Sequence, residues 1–573
     1  MFHLPYWYLE MHLRSKHISG RDYLYAVDNA WRDGRSQVAF QTYLGRPQQL
    51  SGSDPKPLVR TFHFGSSAVL LELAHRLQVR QIVDQVVGSS GDPSVGDYIL
   101  LAALNRAIKP TSKNAFAAWY ERTSLKRLHP VPARKLSSQR FWDAMHQIDA
   151  EQCQQIYHQI AATAIEVFKV HDDIACFDTS NFFTFIASDN DRPALPQRGH
   201  SKAKRHDLRL VGYALACTAR HQLPLFHHVY AGNVVDSVLF DQLLPILIKE
   251  LSDLGQGQAT WVYDKGNVSA KNQRRIEEAD GLQYVTSVPP SQFADLLAIP
   301  LEQMQEVDAD SYHGLAGYLT WSDERKVWSK RLQMVMSYSP ELAQGQLRGV
   351  LQHRDKAVKR LRDLQDRLAR RTSTSKGRKP TLQSINKQVE EILSAQHMRR
   401  LVPVEVYVEQ GDLIRLRYQL DEDHLEHLQQ HLFGRRIWLT TRLDWSPAQV
   451  VEVAHKQASA EACFRQMNDP DNCAFQPVRH WTDQKIRVHG LYCTIGLLLV
   501  QILRMLARQA GDERATDRLL EDLDEVQECL VVPTLRSADE RPRLEITLNV
   551  TDDAQRKLLG LITPKPAAIP PST

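Results

Sequence analysis

The feature that most constrains the fold is a short apolar run that leads into an aspartate, and it occurs twice. Ile174-Ala-Cys-Phe-Asp178 precedes a second β-prone stretch, and Trp261-Val-Tyr-Asp264 repeats the same form. Apolar runs of this length are typical of buried strands. Each run therefore predicts a strand that delivers a carboxylate at its end. Taken singly, such an Asp is better explained as a residue that caps a turn.

The segments around these runs predict an α/β fold. After a strand ending at Asp178, the pattern predicts strands over 182–187, 208–218, 224–230, 260–263 and 284–288, with helices from Gly232-Asn-Val-Val-Asp236 to about Leu251 and over 270–278. This order is that of a ribonuclease H-like mixed sheet with helices. In that layout the strand after the first helix lies beside the first strand. Asp178 and Asp264 would then meet at adjacent strand ends.

A third carboxylate, Glu461, is predicted on a later helix. Ser446-Pro447 supplies an N-cap and a proline at the first helical position, and the helix is predicted to run to Asn468-Asp-Pro470. Glu461 stands three residues before Phe464, which places it near the apolar side of that helix. A charge there is costly unless it is paired or binds metal. A structural ion pair with Arg465 is an equally good explanation.

Other parts of the chain predict further structural units, as expected for 573 residues. Strands at 23–27 and 37–44 predict a hairpin, and 51–56 predicts a linker. Helices are predicted over 69–77 and 82–86, joined by a short turn, and further helices over 95–108, 112–123 and 137–169. Two short helices joined by a tight turn are explained equally well as a DNA-reading helix-turn-helix and as part of a plain helical bundle. Basic helices over 344–371 and 380–396 predict a helical hairpin, followed by a β-hairpin over 404–418 and a strand over 436–441. The last hundred residues are predicted to be mainly helical, with a strand over 544–550.

Composition restricts the class of protein. Hydrophobic residues make up 43% and charged residues 24%, as in ordinary globular proteins, and the net charge of +4 is compatible with a nucleic-acid partner. The seven scattered cysteines contain no C-x-x-C pair, so they predict neither a disulfide framework nor a zinc site, and they favour the cytoplasm. No secretory leader is visible. The apolar run 490–504 predicts a buried core helix and no membrane partner.

Two Asp and one Glu form a hard, all-oxygen ligand set, which suits Mg²⁺ or Mn²⁺ better than Zn²⁺. Two such ions, roughly 4 Å apart, activate a water or a 3′-hydroxyl on one side of a phosphodiester and stabilise the leaving oxygen on the other. In the predicted division Asp178 bridges both ions, and Asp264 and Glu461 hold one each.

The order of several short motifs resembles that of bacterial insertion-sequence transposases of the DDE class, in the group with a β-rich insertion between the second Asp and the Glu. These motifs are Leu104-Asn-Arg-Ala-Ile-Lys-Pro110, Phe177-Asp-Thr-Ser-Asn-Phe-Phe183, Arg198-Gly-His-Ser-Lys202, Gly232-Asn-Val-Val-Asp236, Tyr263-Asp-Lys-Gly266, Glu461-Ala-Cys-Phe-Arg465 and Gln476-Pro-Val-Arg-His-Trp-Thr-Asp-Gln-Lys-Ile-Arg-Val-His489. Each motif alone is weak evidence, whereas their joint order is specific.

The resemblance implies that Asp178, Asp264 and Glu461 are the catalytic, metal-binding triad. It implies cleavage at terminal inverted repeats, joining of 3′ ends to target DNA, and a homodimer on double-stranded DNA in the nucleoid. The expected DNA-binding residues are Arg198, Lys202, Lys204, Lys265, Lys456, Arg465, Arg479, Lys485 and Arg487.

The pattern along the chain, together with the resemblance, predicts six segments. These are a β-rich N-terminal segment (1–55), a helical DNA-binding domain (56–169), the first part of the catalytic domain (170–290), a basic helical hairpin with a β-rich insertion that grips end DNA (291–445), the second catalytic part (446–510), and a C-terminal helical region with a disordered Pro-rich tail (511–573).

Three positions depart from the family pattern. The family has Tyr seven residues before the Glu, Arg four before it and Lys seven after it, where this chain has Ala454, Gln457 and Asn468. Lys456 and Arg465 are the candidate substitutes. These departures keep open the alternative of a transposase-derived DNA-binding protein that does not cleave. A general structure-dependent nuclease is a third alternative.

Overall fold

The computed structural model describes residues 11–32, 35–47, 57–187, 189–199, 205–278, 282–372, 379–409, 413–535, 543–550 and 552–561. The chain forms two compact units. The first unit comprises Met1–Ala259 and Gln457–Thr573, and the second unit comprises Thr260–Lys456. The predicted linker 51–56, the tip of the basic loop with Lys202 and Lys204, and the Pro-rich tail lie outside the described residues.

The strands of the described residues are β1 Met11–Ile18, β2 Arg21–Arg32, β3 Arg35–Gly45, β4 Leu58–His63, β5 Ile174–Phe183, β6 Leu210–Thr218, β7 Pro224–Ala231, β8 Thr260–Tyr263, β9 Gln283–Val288, β10 Gln305–Glu306, β11 Leu319–Val327, β12 Lys330–Tyr338, β13 Val404–Glu409, β14 Leu413–Tyr418, β15 Arg435–Thr440, β16 Gln527–Val532 and β17 Arg543–Leu548.

The helices of the described residues are Gly65–Arg76, Val79–Val87, Val95–Ile108, Phe116–Glu121, Leu125–Leu128, Ser138–His146, Ala150–Phe168, Asp236–Asp253, Ala270–Glu278, Ala294–Leu297, Pro340–Ala369, Leu382–Ile392, Met398–Leu401, Glu422–His431, Pro447–His455, Ala458–Met467, Asp483–Gln509, Thr516–Glu525 and Asp553–Gly560.

In the first unit, strands from both ends of the chain form a six-stranded sheet in the order β3-β2-β1-β17-β16-β4. The predicted β2–β3 hairpin is confirmed. The sequence pattern missed β16, so the region after residue 473 contributes two strands where one is predicted. Alternate residues such as Leu13, Leu24 and Leu530 bury one face of this sheet. On that face Glu528 of β16 receives a bidentate contact from Arg127, and both side chains are almost fully buried.

Helices of the first unit follow the predictions in part. The helix predicted over 95–108 is confirmed, and Ser94 and Asp97 form its capping box. The helix predicted over 112–123 is shorter, at Phe116–Glu121. The single helix predicted over 137–169 is wrong, because Asp149 forms a capping box with Gln152 and begins a new helix at Ala150.

The first unit also contains β5, β6 and β7, which pair antiparallel in that order. The prediction of a strand end at Asp178 is wrong. β5 continues to Phe183, because its residues from Ala175 to Phe183 pair without interruption with β6.

The predicted core helix is confirmed as Asp483–Gln509, which packs on β7 and on the helix Val95–Ile108. It is the one described helix that is long and apolar enough to cross a membrane, and 89% of its apolar window is buried inside the protein.

In the second unit, the strands order as β10-β11-β12-β15-β9-β8, with β8 and β9 parallel. The strands β11 and β12 were not predicted. The predicted hairpin of β13 and β14 is confirmed and packs against the helix Pro340–Ala369 through a shared apolar cluster.

The basic charge of the predicted helical hairpin belongs to its first helix. The second helix, Leu382–Ile392, carries one lysine against two glutamates.

The single helix predicted over 446–468 is wrong. It divides into Pro447–His455 and Ala458–Met467. At the break, Lys456 N–H bonds to the Val453 carbonyl and Ala460 N–H to the Gln457 carbonyl, which are tighter i→i−3 bonds. The break changes the phase of the second helix. Glu461 is consequently exposed, so its predicted position near the apolar side is also wrong.

Candidate active site

Asp178 lies in the middle of β5, opposite Leu215 of β6. Its residue is half-buried, between the buried Phe177 and Thr179. The Asp178 carboxylate accepts a hydrogen bond from the backbone N–H of Thr179 at 2.8 Å. This local contact fixes one carboxylate oxygen relative to the strand. A β-strand is a rigid support for such a group, because both of its neighbours are packed.

A second carboxylate, Asp236, reaches the same part of β5. The Thr179 hydroxyl donates to Asp236 Oδ1 at 2.9 Å. Asp236 is the first residue of the helix that follows the Gly232-Asn-Val-Val motif. Burial raises the pKa of Tyr230, and the Asp236 and Asp178 carboxylates raise it further. Asp236 is the last residue of the Gly232-Asn-Val-Val-Asp236 motif. The spacing of residues in the sequence does not predict that it lies near Asp178.

Another motif joins this region through a close backbone approach. Gln197 and Leu210 pair as a β-bridge, and the N–H of Gly232 bonds to the Leu195 carbonyl at 3.1 Å. A Cβ on Gly199 would lie 2.2 Å from the Gly232 carbonyl oxygen, so no larger residue fits there without movement. The neighbouring Arg198 is exposed, and its guanidinium donates to the His206 carbonyl at 3.4 Å.

Glu461 lies in the first turn of the helix Ala458–Met467. The start of this helix is attached to two strands: Gln457 Nε2 donates to the Phe177 carbonyl at 2.9 Å, and the Ser459 hydroxyl donates to the Ala219 carbonyl at 2.8 Å. Phe177 immediately precedes Asp178. The first unit therefore brings the Glu461 helix against β5 next to Asp178.

The alternative explanation for Glu461 is an ion pair, and the structure contradicts it. Within the described part of the chain, Glu461 makes no ion pair with Arg465 or with another cation. Both side chains are exposed. A carboxylate in the first turn of a helix is instead favoured by the helix dipole.

Asp264 belongs to the second unit and follows β8 directly, as predicted. It is exposed, and its Oδ1 accepts a hydrogen bond from the Ser287 hydroxyl at 2.9 Å. The backbone N–H of Lys265 donates to the same hydroxyl oxygen at 3.2 Å. Ser287 thus fixes the orientation of Asp264 from the parallel neighbour β9.

The donor chemistry of the three predicted ligands fits a hard divalent cation. The Asp178 carboxylate accepts from the Thr179 N–H, the Asp264 carboxylate accepts from the Ser287 hydroxyl, and Glu461 is exposed. Carboxylates of this kind are preferred ligands of Mg²⁺ and Mn²⁺. Among the described residues, no group of three or more His, Cys, Asp or Glu side chains is assembled to hold a metal. The triad therefore stays a prediction.

The three positions that depart from the family pattern have structural contacts of their own. Ala454 is buried. Gln457 holds the Phe177 carbonyl, as described above. The Asn468 side chain donates to the Phe464 carbonyl at 2.9 Å and accepts from Gln476 at 2.7 Å, so it closes the C-terminal end of the Glu461 helix.

The remaining predicted DNA-binding residues fall into two groups. Lys265, Lys456, Arg465 and Arg479 are exposed. Lys485 and Arg487 are half-buried: Lys485 Nζ lies 4.8 Å from the Trp142 ring centre. Burial, helped by the Arg487 charge, lowers the pKa of His228 to about 4. These two residues are less accessible than the sequence alone implies.

No family model matches this chain, and no curated protein matches it. Among solved structures, the chain is similar to the piggyBac transposase synaptic complex with hairpin DNA, with 10% identity, a TM-score of 0.31, and coverage of 87% of this chain and 77% of that chain. It is also similar to the Mos1 transposase paired-end complex with left transposon end, with 13% identity, a TM-score of 0.15, and coverage of 33% and 62%. Both TM-scores are low, so the proposals below rest on the residues of this chain.

Proposed function

We propose that this chain is a DNA transposase that cleaves DNA at the terminal inverted repeats of an insertion sequence and joins the 3′ ends to target DNA. The observation that carries the proposal is the hydrogen bond from Gln457 to the Phe177 carbonyl, which holds the start of the Glu461 helix beside Asp178. Two carboxylates 283 positions apart in sequence thereby reach one region of the first unit.

In this proposal Asp178, Asp264 and Glu461 hold Mg²⁺ or Mn²⁺. The bound ions would supply Lewis-acid activation of the attacking oxygen and stabilisation of the leaving oxygen. The protein contributes position: Thr179 N–H orients Asp178, Ser287 orients Asp264, and Gln457 fixes the helix of Glu461. In the reaction a water or 3′-hydroxyl oxygen attacks phosphorus, and the bond from phosphorus to the departing 3′ oxygen breaks.

The DNA partner is supported by unpaired positive charge. The helix Pro340–Ala369 carries seven Lys and Arg residues against four Asp and Glu residues. Its exposed residues Lys356, Lys359, Arg360 and Arg362 make no ion pair within the described ranges. Free cations along one helix suit the phosphates of double-stranded DNA. The proposal includes a homodimer on that DNA, acting in the cytoplasm at the nucleoid.

The test is a cleavage assay on duplex DNA that carries the inverted repeats flanking the coding region. Wild-type protein is expected to nick the repeat ends in Mg²⁺, and Asp178→Ala is expected to bind the same duplex without nicking it. Asp241→Ala, a change of carboxylate on the neighbouring helix Asp236–Asp253, is the matched control. Undiminished nicking by Asp178→Ala would refute the triad, and equal nicking of DNA without repeats would favour the structure-dependent nuclease.

A second candidate function is that of a transposase-derived, sequence-specific DNA-binding protein without cleavage activity. The observation that favours it is the environment of Asn468, whose side chain closes a helix end where the family pattern has a lysine. Specific binding of the repeats with no nicking in Mg²⁺ or in Mn²⁺ would establish this candidate and refute the first.

A further inference from the structure

At its β1–β3 end, the six-stranded sheet of the first unit has a second face, opposite the one whose side chains enter the core. The residues whose side chains enter the core on one face are Met11, Leu13, Leu24, Ala26 and Leu44. Because side chains alternate along a strand, the residues between them point to the opposite face. The strand register places Arg14 beside Tyr25, Tyr25 beside Tyr43, and Lys16 beside Tyr23. We call these five residues the tyrosine face.

The three tyrosines form a continuous aromatic surface across neighbouring strands. The ring centres of Tyr25 and Tyr43 are 5.6 Å apart, and those of Tyr23 and Tyr43 are 6.0 Å apart. Tyr43 is 45% exposed, which is high for a large aromatic residue in a sheet. The rings therefore present area to solvent that a flat aromatic ligand can cover.

Positive charge is interleaved with these rings. Lys16 Nζ lies 4.8 Å from the centre of the Tyr25 ring and donates to Gln41 Oε1 at 2.6 Å. Arg14 is exposed and makes no ion pair with a described residue. A cation held against an aromatic ring keeps its charge available to an anion at the surface.

Among the residues that the structure describes, the outward positions of this face carry positive but not negative charge. Its outward positions include His12, Arg14, Lys16 and Ile18 on β1, Arg21, Tyr23, Tyr25 and the buried Val27 on β2, and Gln41 and Tyr43 on β3. None of these described residues is acidic. The nearby Asp22 points the other way and bonds to His17 at 2.9 Å. An apolar partner would leave these cations unpaired, whereas a polyanion with flat bases satisfies both the charges and the rings.

We infer that the tyrosine face binds single-stranded nucleic acid, with bases stacked on Tyr23, Tyr25 and Tyr43 and phosphates on Arg14 and Lys16. Stacking on an aromatic side chain contributes about 1–3 kcal/mol per base in proteins that bind single strands. A duplex keeps its bases stacked on one another and would use the cations alone. The inference goes beyond the proposed function and does not depend on it, because it involves neither the carboxylates nor cleavage.

The test is fluorescence anisotropy of the full chain with a labelled 20-nucleotide single strand and with the matching duplex, in EDTA so that no metal-dependent cleavage occurs. The triple variant Tyr23→Ala, Tyr25→Ala, Tyr43→Ala is expected to weaken single-strand binding at least tenfold and to leave duplex binding within twofold. The triple Tyr→Phe variant is expected to bind the single strand like wild type, because the ring and not the hydroxyl stacks.

Three further variants test the role of charge, the specificity of the face and the integrity of the sheet. Arg14→Gln with Lys16→Gln is expected to reduce the magnitude of the single-strand salt slope by about 1.4, from two lost phosphate contacts. Val59→Ala, a 53% exposed residue on β4 at the other edge of the same sheet, is the control and is expected to change nothing. Thermal unfolding of each variant checks that the sheet is intact, and Tyr43→Ala alone provides a less disruptive version.

Three results would overturn the inference. The first is single-strand binding that the Tyr→Ala variants leave unchanged. The second is a Tyr→Phe variant that loses as much affinity as the alanine variant, since hydroxyl contacts would then be responsible. The third is an equal loss for single strand and duplex, which would make the face a general phosphate-binding surface. None of these results bears on the carboxylate site, whose failure would be detected only in the cleavage assay.

Discussion

Removing Arg127 should destabilise the first unit far more than removing an ordinary surface arginine. Arg127 Nε lies 3.0 Å and 3.1 Å from the two Glu528 oxygens, and its Nη2 lies 2.6 Å from Oε2. The two side chains are 4% and 2% exposed. Arg127→Met leaves the Glu528 carboxylate buried without its hydrogen-bonded ion-pair partner, and this kind of change costs about 3–5 kcal/mol.

The double variant Arg127→Met with Glu528→Met separates the cost of an orphaned charge from the value of the pair. Replacing a whole buried ion pair by apolar residues is neutral or stabilises by about 1–4 kcal/mol, so the double variant should be at least as stable as wild type. The assay is urea unfolding followed by fluorescence and circular dichroism. Arg518→Met is the control, because its partner Glu521 is exposed and such pairs contribute about 0–1 kcal/mol.

Two outcomes would refute this reasoning. One is a loss for Arg127→Met no larger than that for Arg518→Met, which would mean that water reaches the buried pair. The other is a double variant as unstable as the single one, which would mean that the pair itself supplies the stability and that its desolvation cost is small.

Three further predictions concern the first unit. Gln457→Leu should lower the free energy of unfolding in urea by only about 1 kcal/mol, the net value of one hydrogen bond. It should nevertheless reduce cleavage at least tenfold, because Glu461 is displaced. Gln466→Leu, on the helix that carries Glu461, is the comparison, and equal cleavage by the two variants would contradict the prediction. The Lys113 residue as a whole is half-buried, but its ammonium lies 4.4 Å from the centre of the Tyr492 ring. Burial, reinforced by the charge of Arg106, lowers the pKa of Lys113 to about 7. Between pH 7 and the ordinary lysine pKa, the unfolded chain holds a proton on Lys113 that the folded chain lacks, so Lys113 makes the free energy of unfolding rise with pH. The excess stability of Lys113→Met over wild type should therefore shrink by up to about 1.4 kcal/mol per pH unit from pH 7 to 9. A difference that stays constant over this range would disprove the prediction. Gly232→Ala places a Cβ 2.1 Å from the Leu210 carbonyl oxygen and should lower the free energy of unfolding by about 1–3 kcal/mol. Gly349→Ala, in open space within a helix, should instead stabilise the protein. Urea midpoints of the two variants that move in the same direction would contradict the close approach at Gly232.

The sequence predicted well those elements whose signal is local. The helix Val95–Ile108 has its capping box within its own residues, and β8 is a short apolar run with a clear end. Elements that depend on distant partners were missed or misplaced. β16 is recognisable as a strand only through its pairing with β4 and β17, and β5 continues past Asp178 because β6 provides partners for every residue up to Phe183.

The same distinction holds for the site. Asp178 and Asp264 were identified from the apolar runs that precede them, and both follow buried strand residues in the structure. The exposure of Glu461 depends on a helix break at Lys456–Gln457 that no glycine or proline marks in the sequence. The contact between Thr179 and Asp236 joins residues 57 positions apart, so only the fold reveals it.

The central claim is that Asp178 is a metal ligand of a strand-cleaving site. Its most direct test replaces Asp178 by cysteine and measures nicking of repeat-end DNA in Mg²⁺ and in Mn²⁺. A thiolate is a poor ligand for Mg²⁺ and a better one for softer cations. If Asp178 binds the metal, Asp178→Cys loses nicking in Mg²⁺ and recovers part of it in Mn²⁺. Nicking in Mg²⁺ at the wild-type rate would contradict the claim.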